Sequence, residues 1–82
     1  MATSNKHGVM KMRISKDFFL DVMFSNKVSV VEKSHEEHLC YTTVLYVFEG
    51  NTRIAVLERV ITAEGTNWVL KEGIYEELKG KI

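Results

Sequence analysis

Two β-rich runs, Leu39 to Phe48 and Thr52 to Ile61, constrain this chain more than any other feature, because both faces of the hairpin they form are largely apolar. A half-solvated antiparallel sheet alternates apolar with polar residues, so a ribbon apolar on each side needs cover on both. Gly50-Asn51 between the runs suits a two-residue turn, with glycine supplying a positive φ at no steric cost. If Glu49 pairs with Thr52, partner numbers sum to 101. One face then joins Val47 to Ile54, Leu45 to Val56, Thr43 to Glu58 and Tyr41 to Val60, and is mainly aliphatic. The reverse joins Phe48 to Arg53, Tyr46 to Ala55, Val44 to Leu57, Thr42 to Arg59 and Cys40 to Ile61, and is aromatic with arginines.

The flanking segments supply the rest of an α+β domain. Val9 to Ile14 alternates, with Met10, Met12 and Ile14 opposite Lys11 and Arg13, as a strand with one wet face does. Ser15 is a good helix N-cap and Asp17 favours the first turn, so a short helix is expected from Lys16 to Phe24. Only Asp21 is polar between Phe18 and Phe24, which predicts a helix surrounded on most sides. Ser25 and Asn26 stop it. Lys27 to Lys33 reads as a strand with Val28 and Val30 facing one way, and Ser34 to His38 as a polar connection.

After the hairpin, Thr62 to Thr66 is either a loop leading to a strand at Asn67 to Lys71 or the cap of one long helix. Trp68 and Val69 favour the strand, and Gly73 costs a helix interior about 1 kcal/mol. A closing helix from about Gly73 to Lys79 then brings Ile74 and Leu78 together. The predicted order is β-α-β-β-β-β-α, a small antiparallel sheet with two short helices. Residues 1–8 read as a flexible polar tail and residues 9–82 as a single domain.

At 82 residues, such a domain buries only about 60% of its unfolded surface, which makes oligomerisation a natural source of stability. A disulfide within the chain is excluded, since Cys40 is the only cysteine. That usage suits a reducing compartment, and with no signal-peptide core or membrane-length apolar stretch the expected location is the cytoplasm.

Net charge is zero but unevenly placed. Lys6, Lys11, Arg13 and Lys16 precede the first acid, Asp17, leaving seven bases against eleven acids in the rest of the chain, a balance of minus four. The basic arm, with Tyr41, Tyr46, Phe48 and Trp68 as stacking surfaces, offers a nucleic-acid reading, which the surplus acid opposes.

Chemistry-bearing motifs are weak. His35-Glu36-Glu37-His38 with Cys40 places two imidazoles near a thiol, but it has neither the order nor the spacing of a zinc-protease helix, and a solvated loop accounts for it. Cys40 has a histidine two residues away and no orienting third group, so a packed strand thiol is the better reading. The glycines form no phosphate-cradling loop. No catalytic residue, metal or cofactor is expected, and the chain reads as a non-enzyme.

Tyrosine, phenylalanine and arginine are enriched at protein interfaces. The face bearing Cys40, Val44, Tyr46, Phe48, Arg53, Ala55, Leu57 and Arg59 is therefore assigned to a partner, foremost a second copy in a homodimer. Its alternative is two helices on opposite faces that close a three-layer monomer. Short chains without catalytic motifs are often accessory or inhibitor proteins of phages and other mobile elements that bind and modulate another macromolecule.

Overall fold

The computed structural model describes residues 11–82. Its elements run β1 (Met12–Arg13), α1 (Lys16–Met23), β2 (Ser29–Glu37), β3 (Cys40–Glu49), β4 (Thr52–Thr62), β5 (Gly65–Glu72) and α2 (Tyr75–Lys79). The strands form one five-stranded sheet in the order β1-β5-β4-β3-β2, with every pair antiparallel. This is the small α+β fold expected from the sequence. The tail expected over residues 1–8, and Val9 and Met10 of the first strand, lie outside the described residues.

Local chemistry sets the ends of the elements. The Ser15 hydroxyl accepts a hydrogen bond from the Phe18 backbone N–H at 3.0 Å, satisfying an orphan donor of α1. Gly50 turns the central hairpin with φ of 64°. The β2–β3 hairpin differs from expectation: β2 runs on to Glu37, so Ser34 to Glu37 is strand rather than connection. Its two turn residues, His38 and Leu39, both take left-handed φ, 51° and 63°. A two-residue turn with positive φ at both centres follows the twist of its strands, and here it forms without glycine. The third hairpin leads into β5, so the strand reading of Asn67 to Lys71 holds and the long helix does not.

Both helices lie on one face of the sheet. Phe18, Phe19 and Val22 of α1 and Leu78 of α2 pack with Leu45, Val47, Ala55, Leu57 and Leu70 in one buried cluster. Extents of 36 × 34 × 21 Å fit one sheet under one helical layer. The expectation that α1 is surrounded fails at its end, where Phe24 is 77% exposed.

Register in the central hairpin departs from the simple sum. Phe48 pairs with Arg53 as expected, but the register shifts next to Val47, which pairs with Ala55. Ile54 is the extra residue, a β-bulge. Beyond it Leu45 faces Leu57 and Thr43 faces Arg59. A one-residue slip turns every following side chain to the other face. Ala55 and Leu57, 1% and 0% exposed, therefore belong to the helix-covered core, and Val56 points the other way. A second irregularity lies between β4 and β5, where Val56 pairs with Glu72 but Leu57 with Leu70.

Gly73 closes this end of the molecule. Its φ is 107°, and a Cβ placed there would stand 2.7 Å from the Ile54 carbonyl oxygen and 3.1 Å from the Ala55 Cα. The turn after β5 thus rests on the bulge backbone, which only glycine permits.

Candidate functional site

Strand alternation places Cys40, Thr42, Val44, Tyr46 and Phe48 of β3 on the face away from the helices. They are joined there by Val56, Glu58 and Val60 of β4, Val69 of β5, and Val31, Lys33 and His35 of β2. No helix of the described residues covers this face. Val44, Tyr46, Phe48, Val60 and Val69 are half-buried on it. Val31 at the β2 edge is 46% exposed, and with Lys33, Tyr46 and Phe48 it lines a shallow hollow of about 250 Å³.

Charge on this face is largely paired and reaches its middle, where Glu58 on the central strand stands between Val44 and Val69. Arg53 lies 6.0 Å from the centroid of the Tyr46 ring and bridges Glu72 at 3.1 Å. Lys71 bridges Glu58 at 3.6 Å. These ion pairs border an apolar patch on the β2–β3 side of the face, formed by Val31, Val44, Tyr46 and Phe48.

Of the residues assigned to a partner from sequence, Cys40, Val44, Tyr46, Phe48 and Arg53 are brought together here. Ala55, Leu57 and Arg59 are not, because the bulge at Ile54 turns them beneath the helices. Sequence reasoning put Val56 and Val60 on the core face for the same reason and overlooked Val31. The run Ile54-Ala55-Val56-Leu57 is apolar throughout, so alternation carries no parity signal where the slip occurs.

The basic arm does not form one surface. Arg13 pairs with Val69 and shares the open face, Lys11 precedes β1, Lys16 opens α1 in the other layer, and Lys6 lies outside the described residues. Among the described residues no group of three or more His, Cys, Asp or Glu side chains is placed to hold a metal ion. His35 belongs to a strand and His38 to the tight turn. A larger hollow of about 590 Å³ lies on the helical side and is lined in part by Asp17, Asp21, Lys27 and Lys79, with no histidine or cysteine on its walls. No helix of the described residues is long and apolar enough to cross a membrane.

A single helical layer on a five-stranded antiparallel sheet, with the other face uncovered among the described residues, defines a small two-layer α+β protein. Within that class, the chain belongs to the phage T4 Cef protein family, whose model matches residues 1–73 and so includes the whole sheet and α1. It is a small phage-associated protein. No curated protein and no solved structure matches it.

Proposed function

We propose that this chain is a non-enzymatic interaction module of the cytoplasm, which pairs with a second copy through the open sheet face and in that form binds and modulates another macromolecule. The observation that carries it is the apolar patch of Val31, Val44, Tyr46 and Phe48, which no helix of the described residues covers and which the Arg53–Glu72 and Lys71–Glu58 pairs border. Contiguous exposed apolar surface on a soluble protein marks a contact site. Two such sheets stack face to face about 10 Å apart, their side chains interdigitating.

Size sets the strength of the pairing. Four strands about 4.8 Å apart and about 26 Å long present roughly 500 Å² in projection. Two copies bury about 1,000 Å², at the lower limit for a specific interface, so the dimer is weak and reversible. Burial at about 25 cal/mol per Å² is offset in large part by the entropy lost on association.

Sedimentation velocity over a concentration series tests the reading. The unaltered chain goes from monomer to dimer, while Tyr46→Glu and Val44→Lys remain monomeric with unchanged circular dichroism. A wild-type chain monomeric at every concentration, or variants that dimerise equally well, refutes the pairing.

One observation favours a second reading, that the face binds single-stranded nucleic acid. Tyr46 and Phe48 alternate along β3 with Arg53 over the Tyr46 ring and Arg13 on the same face, a layout in which bases stack on a sheet. Fluorescence anisotropy with a labelled oligonucleotide separates the two readings. Binding that weakens steeply with salt and with Arg13→Ala supports nucleic acid, and binding that is absent at low salt removes it.

A further inference from the structure

The helical side of the sheet carries a second feature, which the pairing above does not use. Arg59 stands on β4 between Thr43 of β3 and Trp68 of β5. Its guanidinium carbon lies 5.7 Å from the ring centroids of both Phe19 and Trp68. Nη2 donates to Thr43 Oγ1 at 3.0 Å, and that oxygen shares a hydrogen bond with Ser34 Oγ at 3.1 Å. The guanidinium is therefore held in place by two aromatic rings and a hydroxyl chain.

What it lacks is an anion. Arg53, Lys71 and Lys81 each pair with a carboxylate, but among the described residues none lies within salt-bridge distance of Arg59. Its Nε is buried with no hydrogen-bond partner and is closed to any ligand from outside, which leaves the Nη edge to receive an anion. A guanidinium half-withdrawn from water and left without a counter-charge is costly to the fold, and such an unsatisfied group calls for an explanation.

The surroundings show what fits. Next to Arg59 on the same face, Tyr41 and Ile61 form the following cross-strand pair, 48% and 37% exposed, so the helical layer stops short of them. Leu39, in the left-handed turn at the tip, is 77% exposed. The result is an apolar shelf with one orientated cation at its inner end. Glu32 and Glu36 flank Ser34 on the β2 margin of the same face, which disfavours a polyanion but admits a single acidic group.

We propose that this shelf docks a segment of a partner protein in which one carboxylate, received by the Arg59 fork, adjoins an apolar side chain seated on Tyr41 and Ile61. Planar guanidinium and carboxylate match in geometry, and desolvation by the two rings strengthens the contact. The shelf lies on the opposite side of the sheet from the pairing face, so it stands or falls independently of that reading.

Selection from a randomised displayed heptapeptide library against the immobilised full chain tests it. Selected peptides carry Asp or Glu beside an apolar residue. Their affinity falls about tenfold or more in Arg59→Gln, in Tyr41→Glu and when the peptide acid is replaced by its amide, but not in Tyr46→Glu. Tyr41 is exposed, so its variant keeps the fold even if Arg59→Gln does not. A selection with no acidic consensus, peptides indifferent to both shelf variants, or displacement by a single-stranded oligonucleotide at lower concentration than by a second selected peptide would each overturn the proposal.

Discussion

Truncating Leu57 to alanine tests the bulge-shifted register that divides the covered face from the bare one. Leu57 is 0% exposed and packs in the cluster formed by α1, α2 and the sheet. Removing its branched end forfeits about 2 kcal/mol of transfer free energy, and the cavity left between helix and sheet raises the cost to about 3 to 4 kcal/mol. A chain of 82 residues has about 4 to 12 kcal/mol to lose. The loss corresponds to a fall in Tm of about 12 °C or more. Val44→Ala, on the uncovered face, costs about 1 kcal/mol. Urea unfolding followed by circular dichroism, at a concentration where the chain is monomeric, measures both. In the unshifted register Leu57 lies on the bare face and Val56 under the helices. A cost for Leu57→Ala below about 1 kcal/mol, or below that of Val44→Ala, refutes the assignment of faces.

Three further outcomes follow from local geometry. Gly73→Ala combines a left-handed φ with a Cβ 2.7 Å from the Ile54 carbonyl oxygen, so the variant unfolds at markedly lower urea, by about 3 kcal/mol or more. Ser15→Ala removes the acceptor for the Phe18 N–H and costs about 1 kcal/mol, seen as a lower Tm with unchanged association. Leu39→Gly acts in the opposite direction. At φ of 63° it relieves about 1 kcal/mol of backbone strain, so the urea midpoint rises; an unchanged or lower midpoint refutes this.

The element order was legible because each segment carries a local signal: alternation around Met12 and Ile14, a serine cap at 15, glycine and asparagine at the central turn, and Trp68 with Val69 in the fifth strand. Legibility stopped where local signals were silent. His38-Leu39 has no turn residue of the usual kind, so β2 was expected to end at Lys33, four residues before Glu37, where it ends. The bulge at Ile54 lies in an unbroken apolar run and coincides with the close packing of Gly73 on β4, a tertiary contact no pattern reports. The bare face was visible as an excess of apolar surface over what two short helices can hide. Three of the eight residues that alternation places on it, Ala55, Leu57 and Arg59, follow the bulge to the other side. Alternation alone puts Arg59 on the pairing face, whereas its place between Phe19 and Trp68 depends on where α1 packs, which no local signal fixes.

The central claim is that the face bearing Val44, Tyr46 and Phe48 is the one the protein presents to its partner copy. Backbone amide chemical shifts recorded while the isotope-labelled chain is concentrated from monomer to dimer test it most directly. Pairing through this face gives saturable shifts clustered at Val31, Val44, Tyr46, Phe48 and Val60, with Phe19, Val22 and Leu78 unmoved. Shifts centred on the helical layer, or none at any concentration, contradict it.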